Sequence, residues 1–88
     1  FDELFEFFID RGMDINAVSS TDGLSPLHAA VLLNDPALVR LLLKNGASPL
    51  VRERTNGLTP LEFLTQMDAN LPGIDRNRVK QALAGSPP

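Results

Sequence analysis

The apolar residues of the central stretch recur at helical spacing. Leu27, Ala30 and Val31 lie three and four residues apart, which predicts the apolar face of a short helix. Ser25-Pro26 places a hydroxyl cap before a proline at the first helical position, where the missing N–H does no harm. Asn34 can adopt the left-handed backbone that ends a helix. The pattern therefore predicts a helix bounded by Ser25 and Asn34.

A second helix follows at once. Asp35-Pro36 repeats the cap and proline, and residues 38–43 are almost all apolar, so this helix needs cover on more than one side. Lys44 places a cation near the end of this helix, and Asn45-Gly46 can adopt the left-handed backbone that ends it. Residues 47–56 are mostly short, β-branched, proline and polar residues, and Asn56-Gly57 is a strong turn signal. A helix pair followed by a turn is the predicted unit.

The next unit begins with the same kind of cap and proline, but its later residues do not follow the pattern of the preceding unit. Thr59-Pro60 with Glu62 forms a capping box, which predicts a third helix. Beyond Leu64 the apolar spacing loosens, so residues 67–73 are expected to form an extended loop. Asp75 is expected to cap a last helix with one polar side, as a terminal repeat needs. The residues expected to face inward are Val79, Ala82 and Leu83, and those expected to face water are Arg76, Arg78, Lys80 and Gln81.

Two motifs return after one and the same interval. Residues 23–28 (GLSPLH) return as 57–62 (GLTPLE), and residues 7–12 (FFIDRG) correspond to 41–46 (LLLKNG), a step of 34 in both cases. Two unrelated motifs that share one period indicate a stacked repeat, which favours recognition over chemistry as the function.

The repeat unit resembles the ankyrin repeat. The strings that carry the likeness are GLSPLHAAVLLNDPALVRLLLKNGASP, GLTPLEFL and FFIDRGMDINA. The resemblance implies an all-α solenoid of stacked antiparallel helix pairs with short hairpin fingers projecting from one edge. A single domain over 1–88 is expected, with a partial first repeat (1–22), a full repeat (23–56), a C-terminal capping repeat (57–85) and a flexible end (86–88).

Some positions depart from the family pattern. The step from Gly23 to Gly57 is 34, one more than the 33 that the family most often shows. Each finger, 18–22 and 52–56, is therefore expected to carry one extra residue. Glu62 occupies the position where the preceding repeat has His28. Residues 1–10 match only the second helix of a repeat, so at least one more helix is expected upstream.

The resemblance also implies where a partner binds. In the family, the variable residues lie on the finger tips and on the exposed side of the first helix. Leu24, Leu32 and Leu33 would then form an apolar groove, unless the fingers or the extended loop fold over and bury them. The residues carried over are Ser20, Thr21, Asp22, Leu24, Leu32, Leu33, Arg52, Thr55, Asn56 and Leu58, with Gln66 and Met67 as further candidates.

Composition and charge narrow the classes of partner. The net charge is −3, with a balance of −6 over residues 1–35 and +3 over 36–88. Solvated faces explain this asymmetry, and an electrostatic contribution to docking is the alternative. Nucleic acid is not expected, because no basic stripe is interleaved with aromatics. No apolar run approaches the roughly 20 residues of a membrane helix, so no membrane is expected. A soluble, cytoplasmic protein is slightly favoured.

Catalysis finds little support among the residues. His28 is the single histidine and there is no cysteine; the resemblance implies that His28 makes hydrogen bonds between repeats. Asp22, Asp35 and Glu62 are scattered among caps and turns, so no metal site is expected. The glycines occur singly at helix ends and turns, which gives no phosphate loop. We therefore expect no enzyme, no metal and no cofactor in this chain.

These observations favour a protein-binding module that uses the concave helix face and the finger tips, with Arg52-Glu53-Arg54 at one tip. The alternative is a structural segment that packs on missing repeats, a neighbouring domain or another copy, with no separate ligand. A regulatory inhibitor or immunity-type partner of an enzyme is compatible with the acidic amino-terminal half and is not indicated by it.

Overall fold

The computed structural model describes residues 15–20 and 22–85. These residues form four helices: α1, Pro26–Leu32; α2, Pro36–Lys44; α3, Pro60–Asn70; and α4, Asn77–Leu83. None of the described residues forms a strand. The helix expected within residues 1–10, the predicted site residue Thr21 and the end 86–88 lie outside the described residues.

Side-chain caps start the first three helices where the sequence predicts them. The Ser25 hydroxyl accepts a hydrogen bond from the His28 N–H, and Asp35 Oδ1 accepts from the Leu38 N–H at 3.1 Å. At α3, Thr59 accepts from the Glu62 N–H and donates its own N–H to Glu62 Oε1 at 2.9 Å. Each cap satisfies N–H groups that have no partner inside the helix, so the short helices have defined starts.

Left-handed residues end both helices of the central repeat. Asn34 follows α1 with φ 55° and Gly46 follows α2 with φ 97°. Both were predicted stops, and both are confirmed. Glycine and asparagine adopt this conformation at lower cost than other residues.

The four helices form two layers. The first helices of the two repeats, α1 and α3, pack side by side; the second helices, α2 and α4, do the same; and each pair also packs within its repeat. The predicted stripe of α1 is buried, and so are the predicted inward residues of α4. The core consists of Leu27, Ala30, Val31, Val39, Leu42, Ala47, Leu64, Val79, Ala82 and Leu83.

The region between α3 and α4 corrects three predictions. The extended loop expected over 67–73 is wrong at its start, because α3 continues to Asn70. Asp75 lies one residue before the position that flanks α4, and its carboxylate accepts from the Asn77 N–H. Arg76 was expected to face water but is 4% exposed. Its guanidinium contacts Asp68 Oδ1 at 2.8 Å, so an ion pair between residues eight apart joins the start of α4 to the last turn of α3.

Candidate partner-binding surface

Each finger is a tight turn closed by the same pair of backbone hydrogen bonds. At finger 1, expected at 18–22, the Ser19 N–H donates to the Leu24 carbonyl and the Gly23 N–H donates to the Ser19 carbonyl, both at 2.9 Å. At finger 2, expected at 52–56, the Glu53 N–H donates to the Leu58 carbonyl at 2.9 Å and the Gly57 N–H donates to the Glu53 carbonyl at 3.0 Å. The repeat period is thus visible as a repeated turn geometry.

Glu53 stabilises finger 2 from within and is not a free charge at its tip. It is 3% exposed, and its carboxylate accepts hydrogen bonds from the N–H groups of Asn56 and Leu58 at 2.8 to 3.0 Å. The Leu58 N–H is the largest cause that lowers the pKa of Glu53, and the Asn56 N–H adds to it. The expectation of Glu53 as part of a charged tip is therefore wrong, because the turn needs its carboxylate as an acceptor.

Contacts from Arg54 join the two fingers. The Arg54 N–H donates to the Gly23 carbonyl at 3.0 Å, and its Nη2 donates to the Ser20 carbonyl at 3.1 Å. Gly23 has φ 75°, and a Cβ there would lie 3.2 Å from the Cβ of Arg54. Glycine at position 23 thus serves both the turn and the close approach of finger 2.

His28 links the repeats beneath the fingers. It is fully buried; its Nε2 lies 2.7 Å from the Leu58 carbonyl and its Nδ1 lies 2.6 Å from Ser25 Oγ. A carbonyl can only accept, so Nε2 carries the proton and Nδ1 accepts from the Ser25 hydroxyl. Burial lowers the pKa of His28, against the opposing effects of the Leu58 carbonyl and the Glu53 charge. His28 therefore makes the contact between repeats that the resemblance implies.

The predicted groove leucines differ in exposure. Leu32 is 54% and Leu33 is 60% exposed at the end of α1, whereas Leu24 and Leu58 are half-buried. Of the further candidates, Gln66 is exposed and Met67 packs partly against the core. The remaining predicted residues that the structure describes are all exposed: Ser20, Asp22, Arg52, Thr55 and Asn56.

Two features of this surface were missed from the sequence. Asn16 accepts a hydrogen bond from the Ser48 N–H at 2.6 Å and so ties the residues before finger 1 to the loop after α2. Leu71 and Ile74 are 54% and 52% exposed between α3 and α4. A signal for the second feature was present, because the step from the start of α2 to the start of α4 is seven longer than the repeat period.

Neither a metal site nor a membrane helix is present in the part of the chain that the structure describes. No group of three or more histidine or carboxylate side chains there could hold a metal ion. None of the helices α1 to α4 is long and apolar enough to cross a membrane.

The family assignment follows from a comparison with protein families. The family model described as "Ankyrin repeats (many copies)" matches residues 9–64, which is more than half of the chain. The chain therefore belongs to the ankyrin-repeat family, and the predicted all-α ankyrin solenoid is confirmed. Ankyrin repeats are generally protein-interaction modules and are typically non-catalytic.

Relatives with this repeat are much longer proteins. The chain is 36% identical over 58 residues to the 2-5A-dependent ribonuclease of Homo sapiens, covering 66% of this chain and 8% of that protein. It is 45% identical over 53 residues to Protein PhlB of Serratia liquefaciens, covering 60% and 23%. It is 31% identical over 68 residues to Ankyrin repeat and SOCS box protein 6 of Mus musculus, covering 77% and 16%. The chain thus spans less than a quarter of each relative.

Proposed function

We propose that this chain binds a partner protein through the concave face formed by α1, α3 and the two fingers. The observation that carries the proposal is the exposure of Leu32 and Leu33, at 54% and 60%, at the carboxyl end of α1. Two adjacent leucines left in water on an otherwise well-buried helix are a feature of contact surfaces. The partner-binding residues are proposed to be those predicted from the family resemblance.

The mechanism is rigid display. Side-chain caps fix the starts of α1 and α3, and His28 fixes their separation through its bond to the Leu58 carbonyl. Arg54 fixes finger 2 against finger 1 by its bonds to Gly23 and Ser20. Because these elements are already ordered, docking loses little conformational entropy.

Catalysis by this segment is not part of the proposal. Ser25 and His28 lie at hydrogen-bond distance, which is the arrangement of a serine nucleophile and its base. Both residues are buried, and the Nε2 proton of His28 is donated to the Leu58 carbonyl. The pair therefore serves the contact between repeats. Relatives whose names denote enzymes match this chain over a small share of their length.

The test replaces both exposed leucines of α1 with glutamate. Leu32→Glu with Leu33→Glu is expected to weaken partner binding at least about 30-fold, the loss that follows when a central contact worth about 2 kcal/mol is removed. Helical content should not change, because neither side chain belongs to the core. Leu50→Glu is the matched control, since Leu50 is 76% exposed and belongs to none of the four helices.

The measurement is affinity capture from the source organism, followed by calorimetry with the purified captured protein. A protein that binds the parent and the Leu50 variant, and fails to bind the folded double variant, supports the proposal. If the parent and the double variant bind that protein equally, the proposed face is wrong. If the parent captures only copies of itself, the structural alternative takes its place.

A further inference from the structure

The third repeat has an insertion between its helices. Its first helix is four residues longer than α1, and a loop at 71–76 replaces the short connection at 33–35. Within the described residues, four of the six large apolar side chains that are exposed lie at this end of the stack: Leu32, Leu33, Leu71 and Ile74. Apolar side chains scattered singly over a surface need no explanation, but a cluster of four does. We call these four residues the loop-end patch.

One hydrogen bond brings the two halves of this patch together. Asn34 Nδ2 donates to the Asp75 carbonyl at 3.1 Å. Leu33 directly precedes Asn34, and Ile74 directly precedes Asp75. The connection after α1 and the loop after α3 therefore lie side by side, each with an exposed aliphatic residue next to the bond.

The inserted loop is anchored to the fold. The buried guanidinium of Arg76 contacts Asp68 Oδ1 at 2.8 Å and donates to the Leu71 carbonyl at 3.4 Å. The Leu71 N–H donates to the Met67 carbonyl at 2.7 Å, and the Asp75 carboxylate accepts from the Asn77 N–H at 2.9 Å. Because this loop is already ordered, a partner that covers its apolar side chains causes little further loss of conformational entropy.

The charge around the loop-end patch is negative. The segments 31–35 and 67–76 carry Asp35, Asp68 and Asp75 against Arg76 alone. Arg76 is buried on Asp68, so its charge is compensated there. Including Arg78 in the first turn of α4 still leaves the balance negative. A partner that covers the aliphatic side chains is therefore favoured if it brings a cation to these carboxylates.

We infer that the loop-end patch binds a short peptide segment of a partner protein, rich in aliphatic side chains and flanked by lysine or arginine. The aliphatic side chains of the segment would cover Leu33 and Ile74, and its cation would lie near Asp35 and Asp75. This inference rests on the proposed function, because Leu32 and Leu33 belong to both surfaces. The binding face then includes the inserted loop, and the partner segment is both aliphatic and cationic.

The probe is a displayed library of random twelve-residue peptides, selected in parallel on three forms of the full chain. The forms are the parent, the variant Leu71→Ser with Ile74→Ser, and the control Leu50→Ser. Synthetic versions of the enriched peptides are then titrated by fluorescence anisotropy. We expect the parent and the control to enrich aliphatic peptides with lysine or arginine, and the double variant to bind them at least about tenfold more weakly. Added salt should weaken the binding of these peptides to the parent, because it screens the attraction between their cations and the carboxylates of the patch.

Three results would overturn the inference. One is that no peptide is enriched on the parent over the Leu71 and Ile74 variant. Another is that the enriched peptides are acidic. The third is that light scattering shows a concentration-dependent dimer which this variant abolishes, since the occupant would then be a second copy. Some peptides could bind the Leu71 and Ile74 variant normally and fail to bind the variant Leu32→Glu with Leu33→Glu. That result would support the proposed function and show that the inserted loop is not part of the binding surface.

Discussion

At the level of single residues, equivalent positions of the two repeats have different roles. His28 is fully buried and bridges to Leu58 of the next repeat, whereas Glu62, at the same position of that repeat, is exposed and completes its own capping box. Loss of a buried hydrogen-bonding group leaves its partners unsatisfied, but loss of an exposed one does not. The same substitution should therefore cost different amounts at the two positions.

We predict that His28→Ala lowers the free energy of unfolding by about 2 to 4 kcal/mol, because the Leu58 carbonyl and the Ser25 hydroxyl both lose a buried partner. Glu62→Ala, the matched control, should cost clearly less, because it removes one exposed cap and water can take its place. Urea unfolding followed by circular dichroism measures both losses. Equal losses would contradict the assignment of His28 as the link between repeats.

Gly46 gives a second prediction at this scale. Its φ of 97° is disfavoured for side chains with a branched β-carbon, although a Cβ at this position would meet nothing within 4 Å. Gly46→Val should therefore lower the free energy of unfolding by about 1 to 3 kcal/mol through backbone strain alone. Gly46→Asn is the control, because Asn34 already adopts positive φ in this chain. Unchanged thermal stability of the valine variant would tell against the helix end at this residue.

At the level of elements, the starts of α1, α2 and α3 were predictable, whereas the length of α3 and the start of α4 were not. Ser25, Asp35 and Thr59 act on N–H groups within three residues, so their role can be read locally. In the last turn of α3 Met67 alone packs partly against the core, and Arg76, at the end of the 71–76 loop, contacts Asp68 there. Arginine is usually exposed, so its burial here follows from a tertiary contact that no local pattern contains.

The ion pair of Arg76 and Asp68 gives an asymmetric prediction. The Arg76 side chain is 3% exposed and the Asp68 side chain is 47% exposed. Asp68→Ala should cost about 3 kcal/mol, because it leaves a buried guanidinium without its carboxylate. Arg76→Met should cost less, about 1 kcal/mol, because methionine keeps much of the packing and water can reach the Asp68 carboxylate. Urea unfolding measures both, and a larger loss for Arg76→Met would contradict this account of the pair.

At the level of the whole molecule, the repeat period predicted the stacked helix pairs. The contact through His28 and the choice of Leu32 and Leu33 came instead from the resemblance to the family, which places a contact between repeats and variable residues at these positions. The period could not predict the loop-end patch, since Leu71 and Ile74 lie in the insertion that breaks it. Their position beside Leu33 depends on the bond from Asn34 to the Asp75 carbonyl, which joins residues 41 positions apart. The repeat boundaries and the partner-binding residues remain predictions.

Three acid–base groups, His28, Glu53 and Glu62, give the described part of the fold a defined response to pH. Burial lowers the pKa of His28 below its usual value of about 6.5, so below that pH the unfolded chain binds a proton that the folded chain does not. The stability due to neutral His28 is therefore lost as the pH falls through 6.5 to the folded pKa. Hydrogen bonds to backbone N–H groups lower the pKa of Glu53 and Glu62. The stability that these two carboxylates contribute is fully present above their unfolded pKa of about 4.5, and it is lost as the pH falls to their folded pKa.

Acidification should therefore destabilise the fold in two stages, because all three groups act in the same direction. We expect the urea midpoint to fall between pH 7.5 and 5.5 as unfolded His28 takes up its proton, and to fall again below pH 4.5 as the carboxylates are protonated. Glu53→Gln should have a lower midpoint at pH 7.5, because a neutral amide replaces the carboxylate that accepts the bonds of finger 2. The same variant should lose less than the parent in the second stage and at least as much as the parent in the first, because the Glu53 charge opposes the lowering of the His28 pKa. A midpoint for the parent that rises between pH 7.5 and 5.5 would show that His28 gains a proton on folding, which its burial between Ser25 and Leu58 does not allow.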